Sequence, residues 1–398
     1  MEPQVRFKHF CKPWKKLYLS DVFVERHQIS TITEDLPQLS FTIAEGVISP
    51  EDRKSNKRDF LIKDISTKKY LVTYKEDIIY NPANVVHGAI HRNALRNGVV
   101  SPIYKIFQTD ENAAFLEQIV RNPAFIHSMT KYMEGTVIKL RTLKPESFLK
   151  MTATITSSKE EQQLIANYFH SLSNEIQAAI KKVDILRRLK TASLTTMFPS
   201  KDENIPKVRF GNFKRKWHNE KAGSLFVSYD ERNRPELPVL SACQDIRGMI
   251  PRESIGYSIF HDTSNEVTYK RVKPGQFVIH LRSFQGGFAH SSYDGIISPA
   301  YTVFDFKDKE QHDDYYWKIV FMSRPFINRL RLITYGIRDG RSISFNEFKE
   351  LSFQFPSKEE QQAIAAYFRS LDRKIALETA RLEKLKQIKL ACLDKMFV

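Results

Sequence analysis

Apolar and polar positions alternate most regularly in two long stretches of this chain. Within residues 158–198 a heptad places Leu172, Ile176, Ala179, Val183, Leu186, Lys190, Ser193 and Met197 on one stripe. Within residues 357–397 the same places hold Leu371, Ile375, Glu378, Leu382, Leu385, Lys389, Cys392 and Met396. A mainly apolar stripe at this spacing is a seam for another helix, and a lysine shared at one seam position is a register device. Each stretch opens with Ser-x-x-Glu, Ser158 to Glu161 and Ser357 to Glu360. In that pattern the serine caps a helix and the glutamate reaches back to the cap. A helix of roughly 40 residues is a rod of about 60 Å, too long to bury in a small domain. The seam prediction for Leu172, Ile176, Val183 and Leu186 against Leu371, Ile375, Leu382 and Leu385 competes only with a reading of two ordinary amphipathic core helices.

The two stretches are copies of one another. They align without a gap at an offset of 199 (357 − 158) and share 19 of 41 residues, where unrelated sequences share about 2 or 3. Looser matches extend the duplication. Pro3, Val5, Arg6, Phe7, Phe10, Trp14 and Phe23 recur as Pro206, Val208, Arg209, Phe210, Phe213, Trp217 and Phe226, and GVVSPIY with Tyr104 recurs as GIISPAY with Tyr301. The predicted organisation is a globular block at 1–156, a long helix at 157–199, a second block at 200–355 and a second long helix at 356–398. Residues Pro199 to Pro206 form a short polar link.

Within the blocks, β-branched and aromatic runs at 69–74, 76–80, 275–281 and 296–306 predict strands. Helices are expected around Asn112 to Met133 and Asp314 to Leu332, each followed by a glycine turn and a last strand. The fold class is α+β. Tyr104 and Tyr301 are expected in or near the core, within apolar strands.

With 398 residues there is room for two or three domains, and a net charge of +16 favours a polyanionic partner. Nucleic acid is the first candidate and an anionic membrane the second, but no run of 18 apolar residues exists and the first residues are no signal peptide. Cys11, Cys243 and Cys392 are far apart, without zinc-site spacing, which fits a reducing compartment and a cytoplasmic protein.

Catalytic chemistry is missing from the pattern. No GxxxxGK[ST] loop is present for a nucleotide. The nearest approach to a base-flipping methyltransferase motif, Asn81-Pro82-Ala83-Asn84, lacks the second proline and the aromatic ring and reads as a turn. Carboxylate-x-lysine tripeptides such as Asp372-Arg373-Lys374 and Glu347-Phe348-Lys349 are expected by chance in so charged a chain. The histidines show no HExxH spacing. No catalytic residue, metal site or cofactor is predicted.

A variable block, a Ser-x-Glu-Glu-Gln helix start, a second variable block and a second such helix resemble the specificity subunits of type I restriction-modification systems. The resemblance covers essentially the whole chain. It is carried by Phe355-Pro356-Ser357-Lys358-Glu359-Glu360-Gln361-Gln362 with Ile364 and Leu371, and by Ser158 to Gln163 with Ile165 and Leu172. The first copy has Ser157 where the second has Pro356.

The resemblance implies a non-catalytic subunit with two α/β target recognition domains in tandem, each reading one half of a split double-stranded DNA target. It also implies two long helices pairing as an antiparallel coiled coil with pseudo-twofold symmetry, which hold the domains apart. The implied partners are two methyltransferase subunits and, for cleavage, restriction subunits. A self-contained restriction or modification enzyme with diverged motifs is the alternative, and a coiled-coil scaffold another.

For base reading, Arg282, Ser283, Gln285, Gly286 and Gly287 follow a predicted strand and offer Arg for guanine, Gln for adenine and glycines for close approach. Their counterparts by position are His87, His91, Arg92, Asn93 and Arg96. A further loop holds Arg338 and Arg341, and the charge run at 51–58 is a possible DNA contact or a solvated loop.

Overall fold

Both heptad stretches are single helices, Lys159–Thr196 and Lys358–Lys395, in a computed structural model of the chain. The structure describes residues 2–53, 68–135, 141–199, 203, 205–243, 248–255, 263–280, 287–333 and 344–397. Every position on the two stripes is buried or half-buried. The off-stripe residues Ile180, Ile185 and Leu189 are exposed, so the heptad alone decides which face is covered.

The chain divides into two compact units, Met1–Ile180 with Ala380–Val398, and Lys181–Thr379. Each unit therefore contains part of both long helices. In the first unit the helices are antiparallel. Leu172, Ile176 and Ala179 pack with Leu382 and Leu385, the Lys389 ammonium donates to Ser173 Oγ at 2.9 Å, and the Tyr168 hydroxyl lies 3.3 Å from the Cys392 sulfur. In the second unit Lys190 reaches Asp372 at 2.6 Å, and Ser193 and Tyr367 share a hydrogen bond of 2.9 Å. These are the same two crossings moved by the repeat offset, Lys389 to Lys190, Ser173 to Asp372, Tyr168 to Tyr367 and Cys392 to Ser193. The seam lysine has a polar partner in both units, as a register device requires.

The capping expectation holds only in part. Ser158 Oγ accepts from the Glu161 backbone amide at 3.3 Å, but the Glu161 carboxylate does not turn back to the cap. It binds Arg6 and Thr156 instead, because a guanidinium is a better partner for a buried carboxylate than a backbone amide at the helix end.

The globular parts share one strand plan. In the first unit Lys15–Tyr18 pairs with Thr152–Ile155, and a four-stranded antiparallel sheet runs Val24–Glu25, Lys105–Gln108, Ile78–Tyr80, Ile90–Arg92. In the second, His218–Lys221 pairs with Ser352–Phe355, and the sheet runs Phe226–Tyr229, Thr302–Phe306, Phe277–Ile279, Phe288–His290. Helices Ala113–Val120 and Pro123–Met129 accompany the first sheet, and Asp314–Met322 and Arg324–Ile333 the second. Each predicted helix is thus two. Asn122 caps the second segment just before Pro123, and Ser323 interrupts the other pair before Pro325, since proline is accommodated in a first turn and not in a helix interior.

Two short helices, Pro145–Leu149 and Phe345–Lys349, precede the last strands. Five residues give no readable period, yet each buries one phenylalanine, Phe148 and Phe348, in its core. Tyr104 and Tyr301 pack against the secondary clusters around Val100 and Ile297. They stand on turns between strands and not within strands, so the run at 296–306 is two strands, Gly295–Ile297 and Thr302–Phe306, in different sheets.

Gly98 and Gly295 explain the glycine of the repeated motif. A Cβ on Gly98 would stand 2.6 Å from the Pro37 carbonyl oxygen and 2.7 Å from Leu39, and one on Gly295 would stand 2.6 Å from both the Pro238 carbonyl oxygen and Leu240. Backbone amides donate to those carbonyls in both units, Val99 to Pro37 at 3.0 Å and Ile296 to Pro238 at 3.0 Å. Gly98→Ala and Gly295→Ala should therefore each destabilise the chain by about 1–3 kcal/mol, the usual cost of forcing an atom into a filled core. Gly211→Ala, where the added carbon meets nothing within 4 Å, should be near neutral. Denaturant unfolding of the three purified variants checks this, and equal midpoints would refute it.

Candidate nucleic-acid interface

In the first unit the candidate residues lie along one strand and its flanking turns. Ile90–Arg92 pairs with Ile78–Tyr80 in the register Ile78 to Arg92 and Ile79 to His91. His87 ends a single 3-10 turn, Val85–His87, and is exposed. Arg96 is exposed on the turn after the strand.

His91 and Asn93 point inward. His91 is 3% exposed, its Nε2 bonds the Ile43 carbonyl at 2.8 Å, and Phe41 meets its ring edge-on. Burial, with Arg121 nearby, lowers its pKa to about 4, so the ring is neutral. The Asn93 amide nitrogen donates to Thr73 Oγ1, the Tyr74 carbonyl and the Arg96 carbonyl, and its oxygen accepts from the Leu95 amide. Both its donor hydrogens and its oxygen are engaged in holding the turn that displays Leu95 and Arg96.

Arg92 is tethered to Glu76 at 2.6 Å and lies 3.5 Å from Glu117. Its counterpart in strand register is His290, which faces Phe277 and bonds Asp314 at 2.6 Å. In both units a cationic or titratable side chain at this position is thus tied to a carboxylate on the neighbouring helix. Of the first cluster, His87 and Arg96 keep exposed side chains, Arg92 is shared with carboxylates, and His91 and Asn93 are structural.

In the second unit Gly287 is buried and its carbonyl accepts from the His280 amide at 2.8 Å. Arg282, Ser283, Gln285, Gly286, Arg338 and Arg341 lie outside the described residues, as do residues 54–58 of the charge run. Asn81 accepts from the amides of Ala83 and Asn84, which makes Asn81-Pro82-Ala83-Asn84 the turn expected from its sequence. Glu347 closes a capping box with Ser344, and Asp372 accepts from Lys190 and Tyr315. Both carboxylates are thus occupied structurally.

The joints between each globular part and its helices hold residues whose pairing the sequence did not reveal. Arg6 forks onto Glu161 through bonds of 2.6 and 2.9 Å, and Arg209 onto Glu360 through two of 2.7 Å. The carboxylates are 0% and 2% exposed. Burial acts to raise Glu161, but the bonds from Arg6 and Thr156 outweigh it and hold the carboxyl below its usual range. Next to them Gln162 accepts from the Asn112 amide and donates to the Thr156 carbonyl, while Gln361 accepts from the Asp313 amide and donates to the Pro356 carbonyl. Thus the Glu and Gln of the repeated Glu-Glu-Gln fasten helix to domain. The recurrence of Arg6 as Arg209 was a visible signal, but nothing in sequence named the partner 155 or 151 residues away. Leu-Pro-x-Leu-Ser at 36–40 and 237–241 is a further repeat, too short in each copy to stand out from the sequence.

Residues 218–387 match the family model of the type I restriction modification DNA specificity domain. The S subunit of a type I restriction-modification system from M. genitalium is similar over 100% of this chain and 99% of its own, at 13% identity and a TM-score of 0.59; at that identity the likeness establishes the fold. The HsdS subunit from Thermoanaerobacter tengcongensis is similar over 97% of this chain and 96% of its own, at 14% identity and a TM-score of 0.47. A structure described as underlying complex assembly and conformational transition of the type I R-M system is similar over 96% and 97%, at 15% identity and a TM-score of 0.49. No curated protein matches the sequence. Among the described residues no helix is long and apolar enough to cross a membrane.

Each unit holds a buried histidine kept neutral by burial, His91 in the first and His312 in the second. His312 stacks on Phe306 at 4.9 Å between centroids, and burial lowers its pKa to about 4 as well. Both folded-state values lie below the unfolded value of about 6.5, so the unfolded chain binds more protons as pH falls. Their contribution is present above about pH 6.5 and is lost progressively towards pH 4, on the order of 2 kcal/mol per histidine by pH 5. The chain should be less stable at pH 5 than at pH 7, and His312→Phe should flatten that dependence. Parallel unfolding midpoints for the variant and the natural chain across this range would refute the assignment.

Proposed function

We propose that this chain, whose second half matches the type I DNA specificity domain and whose whole length has the S-subunit fold, is a DNA-specificity subunit of a type I restriction-modification system that reads a bipartite, asymmetric target. The observation that carries this reading is the repetition of one strand plan, on one kind of joint, in two units of different sequence. Two readers of similar fold and different surface address two different half-sites, with an unread spacer between them.

Residues 1–156 and 200–355 serve as the two target recognition domains, and residues 157–199 and 356–398 as the helices that set their separation with pseudo-twofold symmetry. The net charge of +16 supplies the non-specific attraction to phosphates. Exposed His87 and Arg96 are the contacts proposed for the first domain, with Asn93 supporting the turn beneath them. The Arg282 loop, with Ser283, Gln285, Gly286 and Gly287, and the Arg338 and Arg341 loop are those proposed for the second. The subunit lacks chemistry of its own and works by docking two methyltransferase subunits, with restriction subunits added for cleavage, in the cytoplasm.

Exchanging residues 200–355 for the equivalent block of a relative should change one half of the methylated sequence and leave the other intact. Mapping methylated bases in cells that carry the natural and the exchanged gene measures this, and a change in both halves would sink the two-reader scheme. A four-residue insertion next to Lys190 tests the helices as spacers. It adds about 6 Å and nearly restores the helical phase, so the apolar stripe re-forms one turn along at the expense of a lysine crossing. With about 3.4 Å per base pair, the preferred gap should lengthen by one or two base pairs with both half-sites unaltered. Methylation of the original spacing alone would place the control of distance elsewhere.

A further inference from the structure

The strap that precedes each domain meets three separate parts of its unit at two neighbouring residues. In the first unit the Val5 amide donates to the Lys395 carbonyl at 2.9 Å, in the last turn of the second long helix. The next residue, Arg6, forks onto Glu161 in the first turn of the first long helix, and its Nη2, one of the two nitrogens on the carboxylate, also donates to the Lys12 carbonyl at 2.7 Å, just before the strand Lys15–Tyr18. In the second unit the Val208 amide donates to the Thr196 carbonyl at 2.9 Å, and Arg209 forks onto Glu360 and donates to the Arg215 carbonyl at 2.6 Å. The end of one helix, the start of the other and the first strand of the domain are thus fixed to each other through one valine amide and one guanidinium, twice.

We infer that Arg6 and Arg209 are positioning residues for DNA reading, each fixing the pose of its own recognition domain on the helix pair and thereby the spacing at which its half-site is accepted. The inference rests on the two-reader scheme proposed above. A guanidinium that binds a carboxylate through two parallel bonds and a carbonyl through a third defines an angle as well as a distance. A lysine keeps the charge and reaches the same carboxylate, but as a point donor on a flexible stem it leaves the angle free. The location argues for pose over bulk stability. The pairs lie at the joint and outside the sheets, and both repeats keep them although the domains they carry have diverged.

The test uses the complex reconstituted with its methyltransferase subunits and duplex oligonucleotides carrying the mapped target with the natural spacer, one base pair fewer and one more. Arg6→Lys should leave methylation of the natural target close to that of the unmodified complex. It should reduce discrimination against the altered spacers by about tenfold, the scale of one mismatched base pair, without changing the sequence of either half-site. Arg209→Lys should do the same, and the double variant should relax spacing further. Unchanged discrimination in both variants, or a uniform loss on all three duplexes, overturns the inference. Thr156→Val provides a second arm should a lysine variant fail to fold. It removes one hydrogen bond from the Glu161 carboxylate, leaves the ion pair, and should relax spacing in the same sense. If the unmodified complex accepts all three spacers alike, the two-reader scheme itself fails, an outcome distinct from failure of the clamp.

Discussion

A carboxylate buried in the first turn of a helix must be paired, because an unpaired charge in that setting costs several kcal/mol. Glu161 and Glu360 are in that position, and the pairing each requires brings an N-terminal strap, a domain and a long helix to one point. Removing either arginine strands the carboxylate, whereas the exposed pair of Lys221 and Glu350, 64% and 71% accessible, belongs to a class worth about 0–1 kcal/mol. The buried pairs therefore dominate the joints, and the arrangement of the rest of each unit follows from them.

The helix seam follows the same logic with weaker terms. Apolar contacts such as Leu172, Ile176 and Ala179 against Leu382 provide the burial, and they tolerate sliding by a turn. The polar crossings do not. Lys190 has Asp372, which also accepts from Tyr315, while Lys389 has the hydroxyl of Ser173. A shift of register would leave each half-buried lysine without its acceptor, so the apolar stripe supplies affinity and the lysines choose the alignment.

The two units keep the joint and the strand plan and differ elsewhere. Gly275 and Glu76 hold equivalent left-handed turns at φ 87° and 79°, the first in a residue that adopts this conformation freely and the second in one that does not. The core of the second unit is an aromatic assembly around Phe226, Phe304, Phe348 and Trp317, while that of the first mixes aromatic with aliphatic side chains such as Ile78, Val85 and Leu116. Divergence of core on a retained frame is what the proposed reading of unlike half-sites requires.

The duplication, the long helices and their covered stripe were legible in the sequence because a heptad is a local property and burial of one face follows from it directly. The strands at 70–73, 78–80 and 277–279 were legible for the same reason. Which polar residues face solvent was not. His87, His91, Arg92, Asn93 and Arg96 form one hydrophilic run in sequence, yet strand alternation and the hairpin Ser40–Thr42 with Gly46–Ile48 turn His91 inward, and the turn consumes Asn93. Likewise the Glu of the Ser-x-x-Glu start had a local partner available and took a distant one, because only the folded chain brings Arg6 to Glu161 and Arg209 to Glu360. Sequence by itself determined the repeat, the period and the helix face, all set by neighbours within a few turns. Tertiary structure alone decided the partners of Glu161 and Glu360, which lie more than a hundred positions away.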